Sequence, residues 1–154
     1  FVDAVSNGGN LLLDMGPMAD GTIPAEQVHI LKELGAWNKK HGEAIFNTIG
    51  GIPQGHFYGP TTLSKDSTTL YLFLHGQSSG TFMLKGLDNK IEEITVLGNG
   101  TKLTHKVVGK ISWSPVPGLV YIDVPANVLD KYVTVLKLKL DKPVKLYRGH
   151  GGFD

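Results

Sequence analysis

The sequence has no cysteine, so disulfides, zinc–thiolate centres and thiol nucleophiles are all excluded, although the compartment stays open. It also lacks an excess of charge. Fifteen Lys and Arg stand against 14 Asp and Glu, a formal net charge of +1, which gives no electrostatic reason to expect nucleic acid or an anionic membrane as partner. No run approaches the roughly 18 apolar residues of a membrane span, and no charged-then-apolar signal opens the chain. What it does have is 41% apolar residues, enough for a packed core, and 20 Gly and 8 Pro, which call for frequent tight turns. A length of 154 residues allows one ordinary domain, or one small domain plus a piece of another.

Two textures meet near residue 50. Phe1-Val2-Asp3-Ala4-Val5 reads as the last turn of a helix, ended by Asn7-Gly8-Gly9-Asn10. Leu11-Leu12-Leu13 is a short apolar run without alternation, suited to a strand covered on both faces as in a parallel sheet. Asp14 to Gly21 is a loop of turn formers. Pro24 stands at a first helical position, and the spacing predicts an amphipathic helix to about Lys40. Its apolar rows are Val28, Leu31 and Gly35 beside Ile30, Leu34 and Trp37, with Gly42 as the residue after the C-cap. A parallel strand needs neighbours, so this strand–loop–helix unit is expected to belong to a longer chain. The stretch Ile49-Gly50-Gly51-Ile52-Pro53-Gln54-Gly55 has the composition of an inter-domain connection.

The second texture is all-β. Strands are expected at Thr69–Leu74, Thr81–Lys85, Ile91–Leu97, Lys102–Val108, Leu119–Val124 and Val133–Leu140, with a last edge at Val144–Tyr147. Gly98-Asn99-Gly100-Thr101 reads as a hairpin turn. In the run from Val133, Thr134, Leu136, Leu138 and Leu140 alternate with Val133, Val135, Lys137 and Lys139, leaving one clean apolar face. Short strands at this spacing suggest an antiparallel sandwich.

Chemistry is harder to place. A glycosidase-type pair needs two carboxylates, and Asp14 and Asp20 are the candidates because both follow the apolar strand, whose C-terminal end would face an active site in a barrel. Both equally fit a plain turn role. The histidines at 29, 41, 56, 75, 105 and 150 show no close helical metal spacing. No serine lies in a nucleophile elbow; Gln77-Ser78-Ser79-Gly80 reads as a strand connection. Asn99-Gly100-Thr101 is formally a glycosylation sequon, although a turn accounts for its Asn-Gly step. Phe57, Tyr58, Trp113 and Tyr147 could stack on sugars if exposed, or serve as packing residues.

One resemblance goes further. Val5-Ser6-Asn7-Gly8-Gly9-Asn10-Leu11-Leu12-Leu13-Asp14-Met15-Gly16-Pro17, Ala19-Asp20-Gly21-Thr22-Ile23-Pro24, Gly35-Ala36-Trp37 and Gly42-Glu43-Ala44-Ile45-Phe46 resemble, with spacings kept, the end of the catalytic barrel in α-L-fucosidases of glycoside hydrolase family 29. The family pattern there is approximately VSxNGNLLLNxGPxxDGxIP, a spacer, then GxWxxxNGEAIY. Gly55-His56-Phe57-Tyr58-Gly59 and Pro117 to Pro125 look like the C-terminal β-sandwich of bacterial members. This sequence departs from the pattern at Asn7-Gly8-Gly9-Asn10, at Asp14 where Asn is common, and at His41 where Asn precedes Gly-Glu.

The resemblance implies an α/β fragment, residues 1–49, carrying the last strand and helix of a (β/α)8-like (TIM) barrel, followed by an all-β antiparallel sandwich over 50–154. It implies part of a retaining enzyme that hydrolyses terminal α-L-fucose from glycans or glycoconjugates, secreted or periplasmic, with no cofactor and no metal. The catalytic pair is expected upstream of Phe1, so no catalytic residue is carried over, and Asp14 is the one residue expected near substrate. The implied partners are the upstream barrel segment and a fucosylated glycan, with no nucleic acid and no membrane. The alternative is a non-catalytic carbohydrate-binding or structural sandwich module.

Overall fold

The computed structural model describes residues 1–76 and 79–149. The elements are α1 (Val2–Ser6), α2 (Ala25–His41), β1 (Thr48–Gly50), β2 (Thr61–Ser64), β3 (Thr69–His75), β4 (Gly80–Lys85), β5 (Ile91–Val96), β6 (His105–Val108), β7 (Leu119–Val124) and β8 (Val133–Leu140). They form a five-stranded sheet in the order β1-β2-β3-β8-β5 and a three-stranded sheet in the order β4-β7-β6, antiparallel throughout.

The alternation in β8 sets the sandwich. Leu136, Leu138 and Leu140 point inward with Leu70, Leu72 and Leu74 of β3, and meet Val120, Ile122 and Val124 of β7 and Leu84 of β4. A register shift between Ile91 and Glu93 turns Ile91, Ile94 and Val96 of β5 into the same core. β3 is apolar at almost every position because its other face is covered too. Tyr71 and Phe73, with Val135, pack against Val2, Trp37, Ala44 and Ile45. An unbroken apolar run here marks an antiparallel strand roofed by helix, rather than a strand of a parallel sheet.

The helices follow their local chemistry. α1 ends with Gly8 left-handed (φ 73), Gly9 N–H donating to Ala4 O at 2.8 Å and Gly8 N–H to Val5 O at 2.9 Å. This is the Schellman pattern for which Asn7-Gly8-Gly9 is suited. Pro24 is the N-cap, one residue before the expected first helical position, because its ψ of 140° is still extended. Gly42 is right-handed rather than left-handed, and the chain runs on into a 3-10 turn, Gly42–Ala44, before reaching β1.

Several expectations need correction. Leu11–Leu13 forms no strand in this chain; it is unpaired and exposed, because no strand lies beside it to complete a ladder. The arm after the Gly98–Thr101 turn returns to β5 only through the Thr95↔Lys102 bridge and the Leu103 N–H bond to Ile94 O. It then crosses to the other sheet, where β6 pairs with β7. Val144–Tyr147 supplies a single bridge, Leu87↔Leu146. β1 and β2 lie outside the expected strands: Thr61 and Thr62 are polar, yet both are buried because their hydroxyls bond inward, Thr62 Oγ1 to Ala44 O at 2.8 Å and Thr61 Oγ1 accepting Ile52 N–H at 2.9 Å. Gly51 fits this close packing: a Cβ there would lie 2.0 Å from Thr61 Oγ1. The connection Gln77-Ser78-Ser79-Gly80 lies partly, and His150 wholly, outside the described residues.

Candidate functional site

Leu11–Leu13 present an apolar strip to solvent. Leu12 is 93% exposed, and Leu11, Leu13, Met18, Ile23, Ile30 and Leu31 are exposed beside it in sequence. α2 buries only Trp37 and His41: Trp37 docks on the sandwich, Val28 and Leu34 are half-buried, and Ile30, Leu31 and Gly35 lie open. The apolar pattern of the helix is therefore only half used.

The loop between strip and helix carries both carboxylate candidates. Asp14 is exposed, and its Oδ1 accepts the Met15 N–H at 2.8 Å. Asp20 is also exposed and caps a turn: its Oδ1 accepts Thr22 N–H at 3.0 Å and Thr22 Oγ1–H at 2.7 Å, and these bonds hold its pKa below the usual carboxylate value. The two do not contact each other through any described hydrogen bond. Gly16 N–H donates to Gln27 Oε1 at 3.1 Å, tying the loop to α2.

The junction of α2 with the sandwich is where polar groups converge. Trp37 Nε1–H donates to Val133 O at 2.9 Å, and the ring of His41 stacks on Trp37 at 4.6 Å between centroids. His41 is 1% exposed; its Nδ1 lies 3.0 Å from Trp37 O, and its Nε2 lies 3.7 Å from Asp130 Oδ2 with no hydrogen-bond partner. Lys40 Nζ bonds the same Asp130 Oδ2 at 2.5 Å. Burial pushes the His41 pKa down, against the opposing pull of Trp37 O and Asp130, so the ring is held neutral. For Asp130, burial pulls upward, but Lys40 and the Tyr132 N–H outweigh it and leave the carboxyl below its usual value. Nearby, Glu43 accepts from Tyr71 Oη at 2.8 Å and pairs with Lys137, fixing the 3-10 turn to the outer face of the larger sheet. Of this cluster, Trp37 and Glu43 carry a signal in the sequence as parts of the matched pattern and His41 as a departure from its Asn, whereas Asp130 carries none.

The other candidates scatter. His29 is exposed on α2, His75 lies 3.7 Å from Asp3 at the end of β3, and His105 is exposed on the edge strand β6. His56 Nδ1 meets Lys85 O at 2.8 Å. Among the described residues, no group of three His, Cys, Asp or Glu could hold a metal ion, and no helix is long and apolar enough to cross a membrane. Phe57 belongs to the core and Tyr147 is half-buried, whereas Tyr58 (100% exposed) and Trp113 (83%) stand free.

Residues 1–43 match the α-L-fucosidase family. The chain belongs to that family. It is 36% identical over 110 residues to the plasma α-L-fucosidase of Homo sapiens, an alignment covering 67% of this chain and 23% of that protein. In three dimensions it is similar to α-L-fucosidase isoenzyme 1 from Paenibacillus thiaminolyticus, at a TM-score of 0.75 and 28% identity, over 92% of this chain and 33% of that one. A Thermotoga maritima α-fucosidase solved in complex with fucose superposes at a TM-score of 0.67 and 30% identity, over 89% and 32%. This α-L-fucosidase segment thus spans about a quarter of the curated relatives' length and about a third of the solved chains. The family match and the exposed strip fall on the same residues.

Proposed function

We propose that this chain is the C-terminal part of a retaining α-L-fucosidase that hydrolyses terminal α-L-fucose from glycans or glycoconjugates. In this reading residues 1–49 complete a (β/α)8-like barrel and residues 50–154 form the sandwich that supports it. The observation that carries the reading is the coincidence of the family match over residues 1–43 with bare leucines at Leu11–Leu13, the run patterned for a strand with neighbours on both sides. Covering such a side chain fully is worth about 1.5–3 kcal/mol, so the strip is a strong seat for the rest of a barrel.

Retention needs two carboxyl groups about 5–5.5 Å apart, one as nucleophile and one as acid and base. Both belong, in this reading, to the barrel upstream of Phe1, and this segment contributes position rather than chemistry. A barrel short of one strand has two open edges, and catalysis is sensitive to small displacements of its groups. Asp14 follows the strip at the end where barrel active sites form, and is placed near substrate without a catalytic role. The reading implies no cofactor, a fucosylated glycan as substrate, the upstream barrel as the covalent partner, and a secreted or periplasmic setting.

The test is an aryl α-L-fucoside assay. The 154-residue chain alone is expected to show no turnover, and the same chain joined to its upstream barrel to be active. Turnover by the isolated chain would defeat the placement of the chemistry upstream. A sugar-binding sandwich is the second reading, favoured by the exposure of Tyr58 and Trp113. Those rings stand on different loops, β1–β2 and β6–β7, which favours a supporting role; sugar affinity from residues 50–154 alone would reverse that preference.

A further inference from the structure

Asn99-Gly100-Thr101 is the one Asn-x-Ser/Thr sequence in the chain. It lies in the turn that leaves β5, closed by Gly100 N–H to Val96 O at 2.9 Å and Val96 N–H to Thr101 O at 2.8 Å. The left-handed positions of this turn are Gly98 (φ 93) and Gly100 (φ 74), so Asn99 serves the turn through its side chain rather than through a positive φ of its own.

Asn99 Oδ1 accepts the Thr101 N–H at 2.9 Å, an Asx turn that sets the carboxamide beside the threonine two residues on. Asn99, Gly100 and Thr101 are all exposed. Nδ2 makes one long contact, to Val128 O at 3.4 Å, and an amide substituted once on nitrogen keeps the N–H for it. A bulky, solvated group on Nδ2 therefore displaces nothing from the core.

We propose that Asn99 is an acceptor for an N-linked oligosaccharide. The donor is a polyisoprenyl pyrophosphate-linked oligosaccharide: Nδ2 bonds to the anomeric carbon, the carbon–oxygen bond to the pyrophosphate breaks, the pyrophosphate leaves with the electron pair, and Nδ2 gives up one proton. The attached glycan stands at the junction of α2 and the sandwich. A Cβ on Gly98 would lie 2.6 Å from Lys40 Cγ, and Lys40 in turn holds Asp130. The proposal is independent of the fucosidase reading.

The experiment is secretion of the full reading frame from a eukaryotic cell, amidase release of glycans in heavy-oxygen water, and mass spectrometry of the peptide containing Asn99. Expected are a single glycan step in mobility attributable to this segment, and conversion of Asn99 to heavy-oxygen-labelled aspartate. Asn99→Asp keeps the Asx bond to Thr101 and Thr101→Val keeps the asparagine, and each is expected to abolish the modification while the protein is still secreted. Secreted protein whose Asn99 peptide is wholly unmodified overturns the proposal. So does modification confined to chains retained in the cell.

Discussion

A histidine ring packed on an indole, with one nitrogen facing a carboxylate, is pulled both ways: the carboxylate favours the charged form and burial the neutral one. At His41 burial wins. The ring is 1% exposed, Asp130 is 3.7 Å away rather than in hydrogen-bond contact, and Lys40 already occupies the same carboxylate oxygen. The folded pKa is therefore below the ordinary value of 6.5, and the unfolded chain binds a proton that the folded one refuses. The sign follows: His41 stabilises the fold above about pH 6.5, and that contribution is lost as pH falls toward its lower folded value. Carboxylates held below their usual values, among them Asp130, Glu43 and Asp66, remove further stability only at more acid pH. His41→Asn, the residue common in the family, is expected to flatten the loss between about pH 7.5 and about pH 5 in urea unfolding midpoints. An unchanged slope in that variant would place the titration elsewhere.

At the scale of elements, α2 makes one joint with β3 and β8. Trp37 sits between them, its indole donating to Val133 O and its ring edge-on to Phe1 at 6.5 Å. Trp37→Ala is expected to cost about 3–5 kcal/mol, because it opens a cavity over Phe73 and leaves the Val133 carbonyl unpaired. Trp37→Phe is expected to lose less, since it keeps most of the packing and drops only the hydrogen bond. Chemical denaturation of the two variants separates the two contributions. The same joint shows what was legible in the sequence. β3, β4, β5, β7 and β8 were readable because their leucines, isoleucines and valines are buried by neighbours within this chain. The helix boundaries were readable from Gly8 and Pro24. β2 was not, since a Thr-Thr-Leu-Ser run looks like loop until Ala44 O and Ile52 N–H arrive to satisfy its hydroxyls. The departure of β6 to the other sheet was not legible either, because turn chemistry at Gly98–Thr101 fixes the turn and says nothing of where the chain goes four residues later. For the candidate site, Asp14 is proposed by position alone, whereas the Asp130 side of the α2 junction depends on a contact made across 90 residues.

At the scale of the molecule, Leu11–Leu13 distinguishes a self-sufficient module from part of a barrel. Local pattern asks for a strand, and the structure leaves those residues bare, since a ladder cannot be satisfied without its partners. This conflict between local preference and observed conformation is what a missing neighbour predicts. Leu12→Lys tests it in two settings. In the isolated chain Leu12 is 93% exposed, so the substitution is expected to change stability by no more than about 0.5 kcal/mol. Joined to the upstream barrel of the proposed reading, the same leucine would be a covered strand residue, and the charge is expected to destabilise the whole by several kcal/mol, with fucosidase activity falling alongside. Parallel unfolding curves for the isolated and joined proteins read the difference directly. Equal, small effects in both would mean that the strip stays in water even in the longer protein, and the barrel-closing role would have to be given up.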